Sequence, residues 1–131
     1  MSPFSLISLL SVGAGGFLGA TSRYLLAVSV DDYFKPEQFP LGIFLVNIIG
    51  CLLIGLLAGV FEMKGWMNPE LRLFTFAGFL GGFTTFSTFA NDTFLLGKEG
   101  EFLAAMLNVG GQVVLGLLFV WVGYSIVKLF S

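Results

Sequence analysis

The sequence predicts an all-α membrane protein of four transmembrane helices per chain, and three observations predict it. Hydrophobic residues make up 56% of the 131 residues and charged residues only 11%, with a mean hydropathy of +0.96. A soluble domain of this size needs far more charge to cover its surface. Apolar runs of about 20 residues, the length that crosses a bilayer core as helix, recur along the whole chain. The intervals between them are too short for a soluble domain, so residues 1–131 read as one membrane domain. Lipid offers the backbone no hydrogen-bond partners, and helices are the spanning element that satisfies every peptide group within one segment.

The first helix is expected over about 4–30, ended by Asp31, Asp32, Lys35 and the prolines Pro36 and Pro40. Its start lacks the basic n-region and clear cleavage site of a signal peptide and is read as part of the mature protein. The second is expected over 41–61, stopping at Glu62, Lys64 and Gly65. Pro69, suited to a first helical turn, opens the third, expected over 69–96. Within it, Gly81 and Gly82 followed by Thr84 and Thr85 weaken the helix at one point. Two readings stand side by side. One breaks the helix at its centre and frees carbonyls that suit a hard cation such as sodium; the other keeps it continuous, with Ser and Thr bonding back to their own helix. The fourth helix is expected over 102–130, after a link so short that the two flanking helices are antiparallel neighbours.

Small residues are spaced for close helix contact at Gly15/Gly19, Gly55/Gly59 and Gly78/Gly82, where packing within the chain is the plain explanation. The basic residues divide evenly. Lys64, Arg72 and Lys128 fall on one side of a four-helix chain, and Arg23, Lys35 and Lys98 on the other. The positive-inside rule then has little to act on, so two orientations could coexist and pair antiparallel.

Composition also excludes function classes. No basic cluster marks a nucleic-acid partner. There is no histidine, and the lone Cys51 sits in an apolar run as a packing residue; no nucleophile–base pair is available, so no enzyme is expected. Asp92 is the only carboxylate well inside a segment, and it lies near that segment's end. A small dual-topology drug–proton antiporter, the alternative of similar size, needs a carboxylate deep in its first helix, and none is there. A non-transporting membrane scaffold remains a third reading.

Polar atoms at membrane depth are costly unless they face a partner or a path. Asn47 interrupts an apolar run and offers two amide donors. Asn108 and Gln112, four residues apart on the fourth helix, could continue a polar track. Phe79, Phe83, Phe86 and Phe89 form an aromatic stripe. Most such stripes are core or lipid-facing, but the positive edge of a phenyl ring can also receive a small anion. Arg23 suits snorkelling to the interface or concentrating anions in a vestibule.

Gly16-Phe17-Leu18-Gly19-Ala20 with Arg23-Tyr24, Val46-Asn47 with Gly50, and above all GFLGGFTTFSTF at 78–89 together resemble the Fluc (CrcB) fluoride channel family across essentially the whole chain. The resemblance implies an antiparallel, dual-topology homodimer in the bacterial inner membrane, with two fluoride pores that export the ion passively. It implies pore roles for Asn47, Phe86 and Phe89, with Thr88, Ser87 and Gln112 along the same track. Arg23 would lie at the vestibule, and the carbonyls of Gly81 and Thr84 from both subunits would hold a central structural sodium ion. The fourth helix departs from the family pattern. Asn108, Gln112 and Gly116 stand where relatives often carry serine or other polar residues, and Asp92 replaces a glutamate seen in some.

Overall fold

In the computed structural model, which describes residues 2–65 and 68–131, every element is helical. Helix α1 spans Leu6–Phe34, α2 Leu41–Lys64, and α5 Phe102–Leu129. The third segment begins as an α turn, Pro69–Arg72, widens into a π-helical stretch, Leu73–Leu80, and closes with a turn, Gly81–Phe83; this rod is α3. Helix α4 follows as Phe86–Lys98. Between α3 and α4 the backbone is extended, with Thr84 at φ −90°, ψ 157° and Thr85 at φ −149°, ψ 120°.

Among the described residues, three helical stretches are long and apolar enough to cross a membrane: Leu41–Lys64, Pro69–Lys98 and Phe102–Leu129. The chain is a multi-pass membrane protein. Helix α1, 29 residues long, would measure about 43 Å at 1.5 Å per residue. It is less apolar than α2 and α5 because serines, Arg23, Asp31 and Asp32 interrupt it, and so it stands apart from the other three.

Each helix end has a local cause. Ser5 caps α1 by accepting from the Ser8 N–H (3.2 Å), and Ser8 is buried against it. The helix runs a turn further than the acidic residues suggest, because Asp31 has a tertiary use. Its carboxylate accepts from the Gly42 N–H at 2.8 Å, and so it caps the start of α2, which Pro40 cannot do. Lys35 then ends α1 in the left-handed region at φ 44°. Helix α2 likewise continues to Lys64 and stops at Gly65, also left-handed. Asn68 caps the third segment through the Leu71 N–H (2.7 Å), with Pro69 at its first position. The Arg72 guanidinium lies 4.3 Å from the centre of the Phe61 ring, tying the end of α2 to the start of α3.

Packing brings α1 against α3, and α2 against both α1 and α5. The spaced glycines serve these contacts within the chain. A Cβ at Gly19 would collide with the Phe79 carbonyl, and one at Gly55 with the Val120 carbonyl. With no hydrophobic drive between helices in lipid, such backbone approach is what holds them together. The core is small: Ala27, Val46 and Phe83 are buried, with Leu26, Ile43 and Phe79 packed around them.

Gly19→Ala should therefore destabilise the protein in detergent by about 1–3 kcal/mol, as overpacking does. Gly13→Ala, where a Cβ meets nothing within 4 Å, should stay within about 0.5 kcal/mol. Thermal unfolding of the two variants checks the pair.

Candidate functional site

The extended step at Thr84 and Thr85 has a specific partner. Asn47, about two turns into α2, accepts the Thr85 N–H on Oδ1 at 3.0 Å and donates Nδ2 to the Thr85 carbonyl at 3.2 Å. In a continuous helix that N–H would bond the Gly81 carbonyl; here the asparagine amide takes its place and also meets the carbonyl of the same residue. Gly50, one turn along α2, leaves room for the Thr84 side chain, whose methyl group would occupy the place of any Cβ there. Thr84 Oγ1 bonds back to the Leu80 carbonyl at 2.9 Å. The back-bonding foreseen for a continuous helix and an extended backbone therefore occur at the same residue.

Thr85 also caps α4. Its hydroxyl oxygen accepts the Thr88 N–H at 3.3 Å, while the hydroxyl donates to Thr88 Oγ1 at 3.2 Å. This is the N-cap arrangement expected of a threonine with extended backbone. One short residue pair thus closes α3, opens α4 and docks on α2.

An open cleft of about 420 Å³ lies beside this step. It collects Asn47, Gly81, Thr84, Phe86, Phe89 and Gln112, with Gly50, Cys51, Ile54, Phe76, Leu80, Thr85 and Val113 completing the wall. No charged side chain is among them. Thr88 and Ser87 stand on the first turn of α4 but outside that lining, and Arg23 is half-buried on α1, also outside it. The aromatic stripe divides at the extended step. Phe79 and Phe83 stack at 5.7 Å, with Phe83 buried in the core. Phe86 and Phe89 form a tilted pair with centroids 5.6 Å apart on the cleft wall, and Phe86 is 79% exposed.

The amides continue across the cleft. Asn47 Nδ2 donates to Gln112 Oε1 at 2.7 Å, and Gln112 Nε2 donates to Asn108 Oδ1 at 2.9 Å. Asn108 is fully buried. Both Nδ2 hydrogens of Asn47 are thereby engaged with the protein, a consequence of its hold on Thr85. Sequence reasoning singled out the asparagine but not this partner. The signal for it was Thr85 itself, a capping residue type in the middle of an apolar helix.

The chain matches the family described as CrcB-like protein, Camphor Resistance (CrcB), over residues 10–124. The chain belongs to the CrcB family. It is a family of ion channels and not of enzymes. A relative in Methylobacillus flagellatus named fluoride-specific ion channel FluC is 42% identical over 118 residues, covering 90% of this chain and 92% of its own length. Relatives of the same name in Nitratidesulfovibrio vulgaris and Elusimicrobium minutum are each 45% identical, over 86% and 90% of this chain and 90% and 91% of their own. The match spans every residue of the extended step and the cleft wall.

Asn47→Leu keeps the volume near but leaves the Thr85 peptide without its partners. It should cost about 1–3 kcal/mol of stability, the cost of a buried donor left unmade. Hydrogen exchange at the Thr85 amide should quicken accordingly, while exchange within α5 stays slow.

Proposed function

We propose that the protein is a fluoride channel that lets the anion leave the cytoplasm passively across the bacterial inner membrane. The observation that carries the reading is the cleft itself. It brings two amide side chains and two phenyl rings together in an apolar surround, and its lining holds no full charge. Stripping water from fluoride is costly, so the path must supply replacement contacts. Neutral donors and the positive rim of the Phe86 and Phe89 rings supply them without trapping the ion on a lysine or arginine. At Asn47 the longer bond, 3.2 Å to the Thr85 carbonyl, is the one a passing anion can compete with. Thr88 and Ser87 would extend the track beyond the cleft, with Arg23 drawing anions to its mouth. Chloride is larger and a weaker acceptor, and a narrow path of this chemistry disfavours it.

The working unit in this reading is an antiparallel, dual-topology homodimer with two pores, α1 crossing the bilayer beside the other three spans. Support comes from the even division of basic residues and from the position of the cleft. Ser87, Gly81 and Phe86 are exposed on the single chain, although Ser87 and the carbonyl-bearing turn at Gly81 are costly to leave against lipid. A second copy would cover them. A central sodium ion would be held by the carbonyls of Gly81 and Thr84 and their counterparts. The chemistry fits, since carbonyl oxygens suit a hard cation, and the Thr85 N–H that would have taken the Gly81 carbonyl is engaged by Asn47. The bound ion would supply positive charge that holds like-facing carbonyls together at the centre.

The proton-coupled antiporter finds no support, because no carboxylate lines the cleft.

Purified protein reconstituted into vesicles loaded with potassium fluoride should release fluoride to an electrode once a potassium ionophore is added. Phe86→Ala should slow that release by at least about tenfold, equivalent to ~1.4 kcal/mol on the barrier, without loss of the dimer on a sizing column. Folded wild-type protein that releases no fluoride would sink the reading.

A further inference from the structure

The hydrogen bonds that meet at Gln112 belong to a longer series, and the series has a single sense. The Thr85 N–H donates to Asn47, Asn47 to Gln112, and Gln112 to Asn108. Asn108 Nδ2 then donates to Thr93 Oγ1 at 2.9 Å, and the Thr93 hydroxyl donates to the Phe89 carbonyl at 2.8 Å. Both ends enforce the direction. A backbone N–H can only donate and a backbone carbonyl can only accept, so the three amides between them must all point the same way. The series leaves the α3–α4 step, crosses α2 and α5, and returns to α4 one turn above the Phe89 ring.

That sense decides what Gln112 shows to the cleft. Its Oε1 is taken by Asn47 and one Nε2 hydrogen by Asn108, which leaves the other Nε2 hydrogen without a partner among the described residues. Reversal would set Gln112 Nε2 against Asn47 Nδ2, donor to donor, and turn an acceptor oxygen toward Asn108. Of the two amides on the cleft wall, Asn47 has both hydrogens engaged and Gln112 has one free. Resting on the channel reading above, we infer that Thr93 and Asn108 are positioning residues: they hold the series in one sense so that Gln112 presents the cleft's standing donor to the anion. Neither residue lines the cleft. Thr93 acts through Asn108, whose complete burial removes water as a substitute partner.

The test uses the full-length protein in vesicles, with fluoride and chloride efflux measured side by side, and the same samples labelled with ¹⁵N at Asn and Gln side chains for NMR in lipid. Thr93→Val removes the hydroxyl at nearly constant volume; Thr93→Ser keeps it. Thr93→Val should lower the fluoride-to-chloride efflux ratio at least about tenfold, whereas Thr93→Ser should stay within about twofold. The side-chain NH₂ resonances of Gln112 on α5 and Asn47 on α2 should move in Thr93→Val and stay in place in Thr93→Ser. A merely structural threonine would not move those resonances or be rescued by serine. Should the valine variant not fold, Thr93→Ala removes the same hydroxyl with less bulk and is read the same way. A folded variant with the wild-type efflux ratio, or with unmoved Asn47 and Gln112 resonances, overturns the proposal. If the wild-type protein releases no fluoride, the channel reading fails on its own; the resonances then stand alone, and their failure to move overturns the directed series.

Discussion

The amide of Asn47 is the contact on which the functional region depends. A backbone can leave helical geometry inside an apolar span only if its peptide groups find other partners, and lipid supplies none. At Thr85 both the N–H and the carbonyl are met by one side chain from α2. An amide is suited to this because it carries a donor and an acceptor on one planar group, complementary to the N–H and C=O of one extended residue. An ionised carboxylate could only accept, and would leave the carbonyl without a donor.

Several features follow from that bracket. With Thr84 and Thr85 extended, the helix restarts at Phe86, so Phe86 and Phe89 are rotated away from Phe79 and Phe83. The same sequence of phenylalanines then serves two ends: Phe83 fills the core, and Phe86 faces out at the cleft. The restart also gives α4 a capping residue without any additional loop. Because Asn47 is engaged with Thr85, its remaining hydrogen fixes Gln112, and Gln112 fixes Asn108. Polar groups in the span are satisfied by one another, which is how so many are accommodated in a chain this apolar.

The scaffold around the site relies on backbone proximity more than on side-chain bulk. Gly19 and Gly55 bring helices to carbonyl contact, and Gly50 makes room for the Thr84 methyl group. A larger residue at Gly50 would push α2 from the step it holds. The outer surface can meanwhile be apolar all round, as in Phe17, Leu25, Leu103 and Trp121, which are exposed on the single chain. That surface reads as ordinary in lipid and would be untenable in water.

Composition and the length of the apolar runs, by themselves, established a multi-pass helical membrane protein, because the bilayer allows a chain so poor in charge few other solutions. Pro69 marked the start of the third segment, and the 78–89 run carried the family. Helix ends were less legible. Asp31 looks like a terminator when read locally, yet it lies within α1 because its carboxylate is used by Gly42, 11 residues on in sequence. The region around Thr84 and Thr85 was open in the sequence, since glycine pairs and threonines are compatible with either a continuous or an interrupted helix. The partner of the extended Thr85 backbone, Asn47, lies 38 residues away, and only the tertiary structure brings the two together. The donor chemistry of the cleft has the same character. Residue types named Asn47, Gln112 and Asn108 as polar, but which atoms remain free depends on hydrogen bonds among three helices, and no periodicity along one of them encodes that.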